Sequence, residues 1–263
     1  MAVLAPHIGD GKAKANAPGT GGRTCRPGLF IYKKLSEKGI KTMTTKTTKN
    51  KQTTKKGDQR QVRSNQRGRL LVIVEGAVMV ALAFALDMVM NMLPIPKWPN
   101  GGSVSIGVVP LIYYAYRRGI LPGVFAGVVY SGIQMVTGLY LPPANTFLSV
   151  VLCILLDYLL AFAAFGIAPL FAAPFSGRQK KRGVRLFGYG FGAAAVSLVR
   201  MICSIVSGGL LWGSYAPEEQ GVWVYTITYN AGYMIPNAVL AAILTVMICS
   251  ALDPHTVRPM RRS

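Results

Sequence analysis

The sequence predicts an all-α fold, an integral membrane six-helix bundle over residues 70–263 behind a disordered, basic N-terminal tail of residues 1–69. Three observations predict it. Apolar side chains make up 51% of the 263 residues and charged ones only 14%, where a soluble domain carries about 25% charged. The charge is uneven, since residues 1–69 hold 17 of the 29 Lys/Arg and 3 of the 9 Asp/Glu. The charge-poor remainder breaks into apolar runs near the length of a membrane span. Together these features exclude a soluble enzyme, and they make the net charge of +20 a matter of topology rather than of nucleic-acid binding.

The tail comes first. Residues 40–69 contain almost no large apolar side chains, too few to offset the entropy of ordering, so the segment is predicted to be disordered. Its basic residues read as a solvated topogenic flank, with attraction to anionic lipid as the functional alternative, at about 1 kcal/mol per residue. Met43 opens the Thr/Lys stretch and is a candidate start codon. Residues 1–20 lack the sustained apolar core of a signal peptide.

A helix needs about 20 apolar residues to cross the hydrocarbon core. The expected spans are Leu70–Leu93, Val104–Tyr116, Gly119–Leu141, Thr146–Ala173, Val184–Gly213 and Gly221–Leu252. The second is short, and a tilted or partly irregular segment is expected there. Charge between the spans tests the count, because Lys/Arg-rich flanks stay in the cytoplasm. Six spans put the N-terminus, the Arg117-Arg118 turn, the 174–185 loop and the C-terminus on one side, where 27 basic residues lie. The opposite loops hold Lys97 alone. The chain is therefore expected to be a multi-pass cell-membrane protein with both termini cytoplasmic.

Small residues recur at helical spacing. Gly119, Gly123 and Gly127 let a neighbouring backbone approach closely, and plain helix packing is the expected use. Ala77 and Ala81, with Ala85 one turn on, form a second stripe on the first span. Packing within the chain is its default reading and packing against a partner protein the alternative.

Ionisable groups inside spans are costly and default to function. Four occur: Glu75 near the cytoplasmic end, Asp87 toward the outer end near Asn91, Asp157 near the middle of the fourth span and Arg200 in the fifth. Arg200, Ser204, Gly208 and Trp212 step by four and so share a stripe. On the last span Tyr225 and Tyr229 share a face, with Asn230 and Tyr233 beside them. An outward pocket of aromatics, one carboxylate and one amide suits a small cationic or polar heteroaromatic ligand. A structural Asp157–Arg200 ion pair is the bland alternative.

Four scattered cysteines without a CxxC pair argue against a disulfide framework or zinc site. Neither His7 nor His255 lies within a span, and no P-loop, HExxH or GxSxG motif occurs. No cofactor, no metal site and no enzymatic activity are expected, nor an ATPase motif of the chain's own.

Five segments then carry a resemblance: EGAVMVALAFALD, GVVPLIYYAYRRGILPGVFAGVVYSGIQMVTG, LLDYLLAFAAFGIAPLF, VRMICSIVSGGLLWGSYA and VYTITYNAGYMIPNAVL. In order and spacing, from about Leu70 to Leu252, they resemble the thiamine-specific substrate-binding (S) component of energy-coupling-factor (ECF) vitamin transporters. The resemblance implies a six-helix fold that captures thiamine in an outward-facing pocket. It implies delivery by toppling within a complex with a transmembrane coupling protein and two cytosolic ABC-type ATPases. The family's AxxxA docking motif falls on Ala77 and Ala81. Its pyrimidine-binding acid–Tyr pair falls on Asp157 and Tyr158, its fifth-helix basic residue on Arg200 and its stacking Trp on Trp212. The sixth-helix Tyr and Asn fall on Tyr225 and Asn230, and Asn91 matches a further binding Asn. Trp98, in a loop of different length, is a candidate for aromatic cover.

Two positions depart from the family. Asp157 stands where the family has Glu, and Ser204 stands where it has His, near the thiazolium half of the ligand. A pocket reading mainly the aminopyrimidine half would remain, which makes a hydroxymethylpyrimidine-like thiamine precursor the alternative ligand. A stand-alone ion-coupled secondary transporter, coupling through Asp157, Arg200 or Asp87, and a ligand-free membrane scaffold are the rival classes.

Overall fold

A computed structural model describes residues 66–94, 98, 102–144, 146–177 and 179–254. The tail up to residue 65, including Met43 and Cys25, lies outside the described residues, as do Lys97, both histidines and the basic C-terminus from residue 255. The expected disorder of the tail therefore falls outside them too.

The described residues form six helices and no strand. In chain order they are α1 (Gln66–Met92), α2 (Val108–Arg118), α3 (Ile120–Gly138), α4 (Phe147–Phe175), α5 (Arg182–Leu211) and α6 (Val222–Ala251). All but α2 are long and apolar enough to cross a membrane. Ile73, Leu121, Phe147, Phe187 and Val239 stand exposed, one on each of these five helices. A water-soluble protein seldom leaves so much apolar surface open. The chain is a multi-pass membrane protein.

The first boundary differs from the expected one. α1 is already helical at Gln66, the first described residue, ahead of Leu70, because Gln and Arg continue a helix readily once it has left the apolar layer. The second also differs. Residues 103–106 are non-helical and α2 begins only at Val108. The run Ser103-Val104-Ser105-Ile106 alternates polar and apolar residues, the period of an extended chain rather than of a helix.

α2 is short because it is interior. Every residue from Val108 to Tyr116 is buried, so this helix is wrapped by the others instead of by lipid. Tyr114 Oη donates to the Val72 carbonyl of α1 at 2.8 Å, and Tyr116 Oη to the Tyr189 carbonyl of α5 at 2.8 Å. At its end Arg117 and Arg118 both pair with Glu75 of α1, which gives that intramembrane carboxylate a structural partner. Gly119 then turns the chain into α3 at φ 96°, a conformation that side chains with a Cβ rarely adopt.

α3 and α4 pack through glycine. A Cβ on Gly166 would collide with the Val124 backbone nitrogen, and one on Gly123 would sit 2.6 Å from the Ala115 Cβ. The Gly123/Gly127 stripe is thus a helix contact within the chain. The Ala77, Ala81 and Ala85 stripe is not, since all three are exposed while Gly76, Val80, Ala83 and Asp87 face inward. The default of packing within the chain fails for that stripe because the buried face of α1 lies one residue out of phase with it.

α4 is irregular. Thr146 caps it in a capping box with Ser149, and residues Ile154–Leu160 then open into a π-helical turn. Short 3₁₀ segments follow at Ala164–Ile167 and Ala173–Phe175. Pro169 and Pro174 account for the latter pair, since neither has an N–H to return to the preceding turn. α5 and α6 form the most extensive helix pair, tied at one end by Arg185 and Asp253 at 3.2 Å.

Candidate functional site

A cavity of about 460 Å³ lies between the helices. It sits at the end of the bundle away from the Glu75–Arg117–Arg118 cluster, where α1 ends and α6 begins. All eight expected binding residues line it. Asp157 and Tyr158 come from α4, and Arg200, Ser204 and Trp212 from α5 and its C-cap. Tyr225 and Asn230 come from α6, and Asn91 from the last turn of α1. The fifth-helix stripe of four-residue steps, Gly208 included, faces this space as one unit.

The π-helical turn supplies the acid. A π-turn adds a residue to the helical circuit and re-aims the side chains that follow, which is why such turns gather at functional sites. Here it carries Asp157 and Tyr158 to the cavity wall. The Ser207 hydroxyl of α5 donates to Asp157 Oδ2 at 2.5 Å, and the Cys153 thiol approaches the same oxygen at 3.7 Å. The Ser204 hydroxyl lies beside the carboxylate as a further neutral donor. A carboxylate has about four lone-pair sites, so an amine-bearing ligand still has a place to donate.

Arg200 is held differently from the bland expectation. Its guanidinium lies over the Phe162 ring, 4.6 Å from the centroid, with Phe165 at 5.7 Å. Its buried Nε has no hydrogen-bond partner. Among the described residues the ion pairs are Glu75 with Arg117 and Arg118, and Arg185 with Asp253. No direct Asp157–Arg200 pair exists among them. Two aromatic faces rather than a carboxylate hold this cation, a contact worth about 2 kcal/mol when desolvated.

Tyr158 has a second duty. Its hydroxyl donates to the Gly138 carbonyl at 3.1 Å and accepts from the Tyr140 N–H at 3.0 Å. The ring lines the cavity while the hydroxyl secures the link between α3 and α4. Asn230 is also partly engaged, donating to the Thr226 carbonyl and accepting from Tyr233 Oη, both at 2.9 Å. One amide N–H and one lone pair remain.

Aromatic rings close the outer part. Trp212 stacks on Tyr215 with centroids 5.9 Å apart, and Tyr225, Tyr229 and Tyr233 follow one another along α6 at 5.8 and 6.1 Å. Trp98 packs on Tyr233 at 5.7 Å and lines the cavity, consistent with aromatic cover from the first loop.

Sequence reasoning missed one cluster. Asp87, read from the sequence as an intramembrane acid and as a candidate ion-coupling group but not as a binding residue, lines the cavity with Ser105 and Gln134. Its carboxylate accepts from the Ser105 hydroxyl and, at 2.6 Å, from Gln134 Nε2. Ser105 N–H in turn donates to Asn237 Oδ1 of α6 at 2.7 Å, while Asn237 Nδ2 donates to the Ser103 carbonyl at 2.9 Å. The extended 103–106 segment is thereby stitched to α1 and α6. Asp87 with Asn91 one turn on was the available signal.

Comparison with known proteins places the chain among relatives. The family model described as "Thiamine transporter protein (Thia_YuaJ)" matches residues 73–256. The chain is similar to the thiamine transporter ThiT of Bacillus subtilis strain 168, 34% identical over 186 residues, covering 70% of this chain and 93% of that protein. It is also similar to the thiamine transporter ThiT of Lacticaseibacillus paracasei, 27% identical over 197 residues, covering 71% of this chain and 89% of the other. The fold resembles a solved structure of ThiT from Listeria monocytogenes with a TM-score of 0.57 at 19% identity, covering 71% of this chain and 97% of that one.

Proposed function

The chain belongs to the thiamine transporter protein family, and from that premise we propose that it is the thiamine-binding S-component of an ECF-type importer. It takes thiamine from outside the cell into the aromatic cavity and passes it inward by toppling. A transmembrane coupling protein docks on the Ala77/Ala81 face, and two cytosolic ATPases supply the energy. All six helices sit at membrane depth, and both termini are cytoplasmic.

The observation that carries this reading is the convergence of Asp157, Asn230, Trp212 and Tyr225 from three helices on one cavity. A carboxylate and an amide can pair with an aminopyrimidine, and indole and phenol faces attract a thiazolium cation. The exposed alanine stripe supports the docking role, because small side chains on an unpacked helix face permit close helix approach.

Titration of the purified protein with thiamine, read by quenching of tryptophan fluorescence in the absence of any ion gradient, tests the reading. Saturable quenching is expected. No response to thiamine would overturn it, and uptake by the chain alone driven by an ion gradient would move the protein to the secondary transporters. A second ligand is favoured by one observation: Ser204, at the position where the resemblance implies a family His, lines the cavity. Tighter binding of a hydroxymethylpyrimidine-type precursor than of thiamine would select that reading.

A further inference from the structure

Resting on the reading of the ligand as thiamine, whose thiazolium ring bears a fixed positive charge, we propose that Asp87 is a specificity-determining residue. It makes the cavity select a singly charged cation over a neutral molecule of the same shape.

Among the described residues that line the cavity, the groups formally charged at neutral pH are Asp87, Asp157 and Arg200. Two carboxylates against one guanidinium leave a net charge of −1. A monocation restores neutrality, whereas a neutral ligand leaves an uncompensated charge beside the buried Asp87, where electrostatics weigh more heavily than in bulk solvent.

Geometry keeps that imbalance from being settled within the protein. Arg200 rests on Phe162 and Phe165 instead of reaching either acid, and its buried Nε is unpartnered. Asp157 is held by hydroxyls and a thiol. Asp87 is 8% exposed and takes its hydrogen bonds from the Ser105 hydroxyl and the Gln134 amide. All of these donors are neutral. They satisfy the carboxylate oxygens, while Arg200, acting on both acids through its field without pairing with either, offsets one of the two negative charges.

The two acids therefore divide the work. Asp157 offers a hydrogen-bond acceptor to the ligand's amine, and a neutral aminopyrimidine can use it equally well. Asp87 acts at longer range through its charge alone, so its effect falls on the cation and not on the neutral analogue.

The test compares thiamine with its neutral thiophene isostere, in which the ring cation is replaced by an uncharged ring of the same outline. Affinities for both are measured on the full chain in wild-type form, as Asp87→Asn and as Gln134→Lys. Asp87→Asn removes the charge and keeps the shape. Gln134→Lys leaves Asp87 in place and sets an ammonium against it.

Each variant is expected to lower the ratio of thiamine to isostere affinity about tenfold while isostere binding persists. An unchanged ratio in both variants overturns the proposal. Parallel loss of both ligands in both variants also overturns it, since Asp87 would then be a scaffold residue. Failure of the wild-type protein to bind thiamine is a separate result and counts against the ligand reading itself.

Discussion

The Ser207 hydroxyl donates to Asp157 Oδ2 at 2.5 Å, so the acid of α4 is clasped by α5 through a neutral group. The nearby Arg200 is stacked on Phe162 instead. A carboxylate held this way keeps spare lone pairs for a ligand. Asp157→Ala is expected to weaken thiamine binding by about 2–5 kcal/mol, the range for truncating one partner of a buried charged contact. Ser207→Ala should cost about 1–2 kcal/mol, since it removes one donor and leaves the acid. Isothermal titration reads both, and wild-type affinity in Asp157→Ala would remove the residue from the site.

Tyr158 separates stability from affinity. Its hydroxyl makes both of its hydrogen bonds to backbone at Gly138 and Tyr140, while its ring faces the cavity. Tyr158→Phe should lower stability by about 1–2 kcal/mol and change thiamine affinity by no more than about threefold, since the ring stays in place. Thermal unfolding in detergent, alongside a thiamine titration, checks this. A large affinity loss with unchanged unfolding would assign the hydroxyl to the ligand.

Docking is probed on the opposite side of α1. Ala81 is exposed, on the face away from Ala83 and Asp87. Ala81→Trp is expected to bind thiamine as tightly as wild type and to abolish uptake in cells that express the coupling protein and ATPases. Unimpaired uptake would exclude that stripe as the docking face.

Close approach of α3 and α4 has its own test. A Cβ at Gly166 meets the Val124 nitrogen and the Gly123 carbonyl carbon, and backbone does not yield as a flexible side chain does. Gly166→Val is expected to destabilise by about 1–3 kcal/mol through overpacking. The fall in melting temperature measures it, and Gly132→Ala, where a Cβ meets nothing within 4 Å, is the matched control.

How much of this was legible in the sequence differs from part to part. Hydropathy marks the five long helices because lipid demands a continuous apolar exterior. Helical spacing and intramembrane polarity, which a sequence displays locally, single out Asp157, Arg200, Ser204, Trp212, Tyr225 and Asn230, while Tyr158 and Asn91 gain a binding role only through the family resemblance. The π-turn at Ile154–Leu160 is not legible, since ILLDYLL reads as any apolar α-helix and the extra residue is set by packing against α5. Asp87, Ser105, Gln134 and Asn237 are far apart in the chain, and each alone looks like an isolated polar residue. Their joining depends on how α1, α3 and α6 meet. Tyr158 hides its hydroxyl's role for the same reason.

The enclosure of α2 has a consequence for how surroundings act on the molecule. Bilayers differ in thickness, and long helices respond to mismatch by tilting. Val108 through Tyr116 touch protein on every side, so this central rod has no annulus of acyl chains to respond to. A change from short-tailed to long-tailed phospholipid should re-angle the five perimeter helices around a fixed pivot, altering the width of the vault above it rather than its floor.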